Sequence, residues 1–364
     1  MSSFPRDQWY VAAYGREVGR ELFSRTVCGE SILFWRTRAG EVTATSDRCV
    51  HRRFPLSEPP SRLVGDQVVC GYHGFTYGAD GVCAAVPGQT RVPRTARLKR
   101  YPVVERDSFV WVWIGNPDRA EHTPVPRAPW LDQPGYTVVS GMEPLAAGYG
   151  LLVDNLLDLS HETYLHNGSI GTPEVADTPI TTEVDEQAGV IYVSRRMADA
   201  ECPPFYVHST GLSGRISRWQ DIEYTPPCLY LLHVRIAPVG VLPNADGSDP
   251  GAFHAEVVYA ITPETERSTH DFWAVARDFA LDDQSVSDFV ADQNRTVVLQ
   301  DVAALNVLQR VLDTEPAGYQ ELSINIDTGG LAARRMLAAL VAQTNRTEPS
   351  PNQAGPKPAA AVAG

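Results

Sequence analysis

Two short segments near the N-terminus each offer one thiol and one imidazole as possible metal ligands. Cys49 and His51 are separated by one residue, Cys70 and His73 by two, and eighteen residues lie between the two pairs. Zinc accepts two sulfur and two nitrogen ligands, but its sites usually pair cysteine with cysteine and histidine with histidine. A mixed pair in each segment suits a [2Fe–2S] cluster in which one iron binds two cysteines and the other binds two histidines. The spacing therefore favours such a cluster over structural zinc.

Two further histidines, His161 and His166, lie five residues apart in a segment with a helical pattern. A zinc-protease helix would need histidines four residues apart. Five residues rotate a side chain by roughly 140° around an ideal helix, so the two rings converge only if the helix ends or distorts between them. Asp158, three residues before His161, would share its face and could hydrogen-bond the far ring nitrogen of that histidine. With one more carboxylate, the two histidines would form the facial triad of a non-haem Fe(II) oxygenase.

The third ligand of such a triad must be an acidic residue later in the chain. A long helical pattern at 282–312 offers several candidates, namely Asp282, Asp283, Asp288, Asp292 and Asp301. Asp301 differs from the others because apolar residues surround it at Val297, Val298, Leu299, Val302 and Leu305. Burial of an unpaired carboxylate is costly, and a bound cation offsets that cost. We therefore predict Asp301 as the third iron ligand.

The elements that must position these residues change in type along the chain. The first 115 residues show short β-branched or aromatic runs bounded by turn residues, which predict strands at 27–35, 41–44, 67–70 and 109–114. Prolines then follow in close succession and exclude regular structure, which indicates a connector. The second half combines helical patterns at 150–166, 282–312 and 331–344 with strand patterns at 190–194, 217–224, 229–237, 255–261 and 272–275.

Composition and charge narrow the possible partners. The chain has 364 residues, of which 43% are hydrophobic, and it carries 31 basic against 44 acidic residues, for a formal charge of −13. This excess of acid argues against binding to duplex nucleic acid or to an anionic membrane surface. No run reaches 18 consecutive apolar residues, so we expect no membrane span. The polar N-terminal residues 1–9 do not resemble a secretory signal, and six scattered cysteines do not form a disulfide framework, so we expect a cytoplasmic protein.

Beyond the two ligand sets, several stretches resemble the oxygenase components of Rieske non-haem iron oxygenases, and most closely the vanillate O-demethylase branch. The similarity covers about residues 4–342. The matching stretches, apart from the two cysteine–histidine segments, are residues 9–13, 81–88, 109–113, 154–166, 261–264, 272–273, 276–279, 300–301 and 324–335. Arg53–Phe54 departs from the pattern, because relatives commonly carry a glycine at the position of Arg53.

The resemblance implies an α+β protein with an N-terminal all-β Rieske domain and a helix-grip-like catalytic domain built on an antiparallel sheet. We expect the Rieske domain at 1–118, the proline-rich connector at 119–135, the catalytic domain at 136–346 and a disordered tail at 347–364. Two ligand sets carry over by match: Cys49, His51, Cys70 and His73 for the cluster, and His161, His166 and Asp301 for the mononuclear iron. Asn155 and Asp158 carry over as catalytic residues. In the family, the residue matching Asp158 bridges to a neighbouring subunit's Rieske histidine in a head-to-tail ring, usually a trimer.

The activity implied is O-demethylation of a methoxylated aromatic acid, vanillate to protocatechuate and formaldehyde, with O2 as oxidant. The chain has no Gly-x-Gly-x-x-Gly segment after a strand, so electrons must come from a separate NAD(P)H-dependent ferredoxin or flavin reductase. Two alternatives stay open. One is a Rieske monooxygenase that demethylates another methoxybenzoate, removes an N-methyl group or hydroxylates a ring. The other is a Rieske electron carrier with an inactive second domain.

Substrate residues are the least determined part of the sequence. A carboxylated ring would need a cation or a hydrogen-bond donor in the pocket, because a guanidinium suits a carboxylate. The candidates in the region that shapes the pocket in relatives are Arg218, His233, His254 and Trp273. Strand alternation places Arg218 and Gln220 on one face and Trp219 on the other.

Overall fold

The computed structural model describes residues 3–316 and 318–347; the predicted disordered tail lies outside the described residues, apart from Thr347. Ten strands come first: β1 Gln8–Tyr14, β2 Phe23–Val27, β3 Glu30–Arg36, β4 Val42–Ser46, β5 Arg62–Val64, β6 Gln67–Val69, β7 Thr76–Tyr77, β8 Cys83–Ala85, β9 Val103–Arg106 and β10 Phe109–Ile114. Seven more follow: β11 Thr137–Leu145, β12 Thr181–Asp185, β13 Val190–Glu201, β14 Arg215–Thr225, β15 Leu229–Pro238, β16 Phe253–Thr265 and β17 Ser268–Arg277. The α-helices are α1 Tyr149–Leu157, α2 Glu162–Leu165, α3 Pro173–Asp177, α4 Pro204–Thr210, α5 Gln284–Leu312 and α6 Thr328–Thr347.

The N-terminal strands form three small antiparallel sheets, with the orders β1-β10-β9, β2-β3-β4 and β5-β6-β7-β8. The strand predicted at 109–114 is β10, with the same bounds. The single strand predicted at 27–35 is instead a hairpin, since Cys28 and Gly29 have φ of 50° and 76° and form its two-residue turn. Gly29 is the turn signal in the sequence, whereas Cys28, a small apolar residue, fits a continuous strand.

A seven-stranded antiparallel sheet of order β11-β17-β16-β15-β14-β13-β12 forms the second half. Alternate residues of β15 and β17 pack into two different cores. Leu231 and Ala274 join a core shared with the N-terminal strands, whereas Leu232 and Val275 join a core shared with α1, α5 and α6. The central strands are therefore covered on both faces, which explains why their sequences are almost continuously apolar.

Helix α5, on the second face of the sheet, begins at an identifiable capping residue. Asp283 accepts hydrogen bonds from the backbone amides of Ser285 and Val286 and so caps α5, two residues later than the predicted start.

Strand β11 had no sequence signal, because Gly141 and Pro144 interrupt it. Gly141 is required there, since a Cβ would lie 2.5 Å from Cζ2 of Trp273.

The α+β class is confirmed, whereas the residue boundaries of the domains stay a prediction. Between β10 and β11, the described chain contains two short 3-10 turns, Pro117–His122 and Pro129–Leu131. Both begin at a proline, whose fixed φ suits the first position of such a turn. Across the described ranges, no helix is both long and apolar enough to cross a membrane.

Candidate metal centres and substrate cavity

The two cysteine–histidine segments meet at one end of the N-terminal sheets. Cys49 follows β4 and Cys70 follows β6. Both thiols are buried, and both belong to the same hydrophobic core. The rings of His51 and His73 are exposed and lie 4.6 Å apart, centroid to centroid. Two buried sulfurs below two exposed imidazoles fit a [2Fe–2S] cluster whose histidine-bound iron faces the surface.

The two loops share a hydrogen-bonding pattern. The amide of Cys49 donates to the carbonyl of Phe54, and the amide of Arg53 donates back to Cys49; Cys70 makes the same pair of bonds with Phe75 and Gly74. Arg53 and Gly74 therefore occupy equivalent positions, and both have positive φ, 61° and 74°. An arginine is strained there while a glycine is not. The departure noted in the sequence thus lies at a left-handed position of the cluster loop.

A buried tyrosine that the sequence does not single out contacts one of these cysteines. The hydroxyl of Tyr77, on β7, lies 3.1 Å from Sγ of Cys49. Tyr77 is fully buried. A hydroxyl that donates to a ligating sulfur stabilises negative charge on it and tunes the metal it binds. A tyrosine seven residues after a ligand carries no distinctive spacing, so only the folded structure brings it to the cluster.

The histidine segment after α1 distorts in the way that convergence of its rings requires. Asp158, before both histidines, leaves the helical region with φ of −123° and ψ of 95°, and a 3-10 turn Leu159–His161 follows. Between the two histidines, the short α2 ends at Leu165, directly before His166. Nε2 of His161 and Nε2 of His166 lie 3.4 Å and 3.3 Å from Oδ1 of Asp301. One ligand atom from each of the three residues lies within 4.8 Å of the others. This donor set fits a ferrous ion with open coordination positions.

Further hydrogen bonds orient the three ligands. Nδ1 of His161 lies 2.5 Å from the backbone carbonyl of Asp158, and Nδ1 of His166 lies 2.7 Å from Oε1 of Gln300. With an oxygen acceptor at each Nδ1, the hydrogen is held there and both Nε2 lone pairs are left for a metal. Nδ2 of Asn155 donates to Oδ1 of Asp301 at 3.2 Å.

The contact predicted for Asp158 needs a correction. Its backbone carbonyl, not its carboxylate, meets His161, and the carboxylate accepts from the amide of Ser160 at 2.9 Å. The prediction assumed a continuous helix, whereas the chain turns at Asp158 and so places the side chain at the start of the next turn. The sequence analysis does not predict a role for Gln300. Its only sequence signal is its position next to Asp301 in the matching stretch 300–301.

A cavity opens from the candidate iron triad into the space between the sheet and α5. Its wall is mainly apolar and includes Leu232, Val257 and Val297. An apolar wall with a few polar groups is typical of a site for a small organic molecule. We call this space the apolar cavity.

The predicted substrate residues lie on different faces of the seven-stranded sheet. Arg218 lines the apolar cavity, but it is ion-paired to Glu162 at 2.8 Å. His233 and His254 lie on the other face of the sheet, where Glu256 and Asp278 respectively accept from them. Trp273 is buried in the core against Gly141 and is not part of the cavity wall.

Comparison with known proteins agrees with this geometry. Residues 8–102 match the family model of the Rieske [2Fe-2S] domain, and residues 145–343 match that of the vanillate O-demethylase oxygenase C-terminal domain. A vanillate O-demethylase oxygenase subunit from Pseudomonas sp. (strain HR199 / DSM 7063) is 35% identical, over 93% of this chain and 95% of its own. The chain belongs to the vanillate O-demethylase oxygenase family. It is thus a Rieske non-haem iron monooxygenase component.

Other relatives of this vanillate O-demethylase-like chain differ in the substrate that their names give. An iron-sulfur subunit of a toluene-4-sulfonate monooxygenase system from Comamonas testosteroni is 32% identical, over 86% of this chain and 90% of its own. A crystal structure of dicamba monooxygenase bound to dicamba superposes with a TM-score of 0.86 at 27% identity, covering 94% of this chain and 99% of that one. The family therefore fixes the reaction type and the cofactors more firmly than the substrate.

In this vanillate O-demethylase family member, replacement of Gln300 by leucine should weaken iron binding about 10- to 100-fold. The leucine removes the acceptor that holds the Nδ1 hydrogen of His166, so the ring loses its fixed tautomer and orientation. Iron retained after dialysis against graded chelator measures the effect. Gln300→Glu keeps an oxygen acceptor and should retain most of the iron. Equal iron loss in both variants would contradict this role.

Gly171→Ala tests whether the histidine turn of this family member depends on close backbone contact. A Cβ at Gly171 would overlap the carbonyl oxygen of Glu162, which lies between His161 and His166. We expect a destabilisation of about 1–3 kcal/mol together with loss of mononuclear iron. Gly150→Ala, in α1 with open space around its Cβ, is the control and should not lower the melting temperature. Unchanged iron content in Gly171→Ala would exclude this constraint.

Proposed function

We propose that this chain is the oxygenase component that removes the methyl group from a methoxylated aromatic compound. Vanillate, converted to protocatechuate and formaldehyde, is the substrate that the sequence predicts. The balanced reaction consumes the methyl ether, O2, two electrons and two protons, and yields a phenol, formaldehyde and water. When bound, the cluster would supply electrons singly and the ferrous ion would activate dioxygen.

The apolar cavity that ends at the triad is the observation that carries this proposal. His161, His166 and Asp301 would hold the iron on one side, while Asn155 and Gln300 keep two of these ligands oriented. The opposite side is open to the apolar cavity, where the aliphatic wall excludes water from the reacting methyl group. The ring would therefore lie against the sheet, with its methoxy group towards the triad.

The electron path requires partners. We propose Cys49, His51, Cys70 and His73 as the cluster ligands and a separate NAD(P)H-dependent ferredoxin or flavin reductase as the electron source. The cytoplasmic location of both components stays a prediction. Cys49 and Cys70 belong to one hydrophobic core, whereas apolar neighbours of the triad such as Leu159 and Val298 belong to another. This separation supports electron transfer from the cluster of a neighbouring chain.

We therefore propose a head-to-tail homotrimer in which Asp158 lies at the electron-accepting face. A second cavity, here called the acidic cavity, is lined by Asp154, Asp158, Glu321, Leu322, Ser323, Asp327, Gly330, Leu331 and Arg334. Arg52 and Arg53 are exposed beside the cluster histidines. Opposite charges on the two surfaces favour docking of one chain's cluster loop at the next chain's acidic cavity.

The enzymatic test is formaldehyde release by the reconstituted system. The holoenzyme, a reductase, NADH, O2 and vanillate should give formaldehyde and protocatechuate in equal amounts. Turnover of another methoxybenzoate, of an N-methyl compound or of a ring without methoxy groups, with no product from vanillate, would support the alternative monooxygenase. If His161→Ala left the cluster spectrum and every measured activity unchanged, the second domain would be inactive and the proposal would be wrong.

Charge reversal in the acidic cavity tests the docking. Glu321→Lys combined with Asp327→Lys should slow electron arrival at the iron at least 10-fold, because both changes repel the arginines of the incoming cluster loop. Stopped-flow reoxidation of the reduced cluster measures this rate, and mass photometry measures assembly. Glu186→Lys, in the turn after β12, is a control that changes a charge outside the acidic cavity. Equal rates in all three proteins would contradict the docking surface.

A further inference from the structure

The apolar cavity has little charge to offer a substrate. Its titratable wall residues are the triad itself, Glu162, Arg218 and three tyrosines, Tyr206, Tyr230 and Tyr259. Among the residues that the structure describes, Arg218 is the only lysine or arginine in this wall. Whether the cavity can take an aromatic carboxylate therefore depends on how Arg218 is already engaged.

Arg218 is neutralised and held by the protein. Nη2 donates to Oε2 of Glu162 and Nη1 donates to the carbonyl of Ile170, both at 2.8 Å. Arg218 and Glu162 are 2% and 3% exposed, so water does not screen the pair. Nε of Arg218 has no partner within the described chain, but a substrate carboxylate there would share one guanidinium with Glu162. Two carboxylates around one buried cation leave one negative charge uncompensated, which is costly.

Two uncharged donors in the wall are, in contrast, without partners. Nδ2 of Asn294 and the hydroxyl of Tyr230 are buried, and neither has a hydrogen bond to any described residue. Burial, and then the carboxylate of Glu162, raise the pKa of Tyr230 well above its usual range, so its hydroxyl keeps its proton. Each of these groups costs free energy unless a ligand supplies an oxygen acceptor.

The position of Asn294 suits a ring whose methoxy group lies at the triad, and Tyr230 lines the same cavity. Asn294, Val297 and Asp301 line the cavity from one face of α5. Asn294 and Asp301 are seven positions apart, which corresponds to about 10 Å along a helix axis. A benzene ring with a second substituent meta or para to its methoxy group bridges most of that distance, so the substituent away from the iron would reach Asn294.

We propose that Asn294 and Tyr230 determine specificity, by binding an uncharged oxygen substituent of the aromatic ring, and that the cavity disfavours a ring carboxylate. The preferred substrates are then neutral methoxylated aromatics rather than methoxybenzoates. This inference deepens the proposed function and relies on it for the reaction, but the binding preference itself is measurable without turnover.

Vanillate and its amide, 4-hydroxy-3-methoxybenzamide, form a matched pair of nearly equal size and different charge. Anaerobic calorimetry with the iron-loaded holoenzyme should show at least 10-fold tighter binding of the amide. Formaldehyde release under O2 should follow the same order in kcat/KM. Equal or tighter binding of vanillate overturns the inference and leaves the demethylase proposal intact. Preferential binding of the amide without formaldehyde from either compound would support the binding inference and refute the demethylase proposal.

Variants separate the two donors from a general effect on the fold. Asn294→Leu and Tyr230→Phe should each weaken binding of the amide about 3- to 10-fold, the effect of one hydrogen bond, at unchanged iron content. Gln293→Leu alters the neighbouring position of α5, outside the cavity wall, and should bind the amide like the unmodified protein. Unchanged affinity in both Asn294→Leu and Tyr230→Phe would exclude these residues as the binding groups.

Discussion

Replacement of Asp301 by alanine should give a protein that keeps two iron atoms and two acid-labile sulfides per chain but loses the third iron. Asp301 belongs to the candidate iron triad and not to the proposed cluster ligands. Without its carboxylate, two neutral imidazoles remain as protein ligands for the mononuclear iron. Demethylation should fall below detection, at least 10³-fold, because the metal is required to bind and activate O2. The visible spectrum of the cluster should be unchanged, since its proposed ligands lie in a different core.

Iron and sulfide analysis of anaerobically purified protein checks this prediction directly. Asp288→Ala is a matched control on the same helix, because Asp288 is exposed and its carboxylate accepts a hydrogen bond from the neighbouring Gln284. That variant should retain three iron atoms per chain and full activity. Retention of three iron atoms by Asp301→Ala, or loss of the cluster with the mononuclear iron, would contradict the separation of the two centres.

The sequence predicts the cysteine–histidine segments and the histidine pair from short-range spacing, whereas Asp301, far along the chain, is distinguished only by its apolar neighbours and by the family resemblance. The paired segments at Cys49 and Cys70 are each a single loop, so their chemistry is encoded locally. The distortion between His161 and His166 was also predictable, since an undistorted helix could not bring both rings to one metal. The position at which the chain turns could not be predicted, because Asp158 fits a helix interior and a helix start equally well in an isolated sequence.

The substrate cavity could not be predicted because strand alternation gives relative faces, not absolute ones. His233 and His254 point away from the cavity, whereas Tyr230 and Leu232 on β15 point into it. Both faces of these strands are covered by apolar cores, so the sequence shows no hydrophobic-polar alternation that would identify the cavity side. The packing of the N-terminal strands against one face of the sheet determines which face is left for the cavity.

The buried pair Arg218–Glu162 yields the second large prediction. Arg218→Met should destabilise the protein by about 3–5 kcal/mol, because it leaves the Glu162 carboxylate buried and without its cation. Glu162 directly follows His161, so the turn that carries both histidines should loosen and mononuclear iron should be lost. If Arg218 instead served mainly to bind a substrate carboxylate, the variant would fold and hold iron normally but lose affinity for vanillate.

The double variant Glu162→Gln/Arg218→Met distinguishes these roles. Without the uncompensated charge, it should recover most of the melting temperature and iron content lost in Arg218→Met, since the neutral glutamine leaves no buried charge unpaired. Arg196→Met removes an ion pair to Asp221 in which the arginine is 56% exposed, and it should cost less than about 1 kcal/mol. Thermal unfolding and iron analysis of the three variants give the comparison. A double variant as unstable as Arg218→Met would show that the packing of Arg218, and not its charge balance with Glu162, supports the histidine turn.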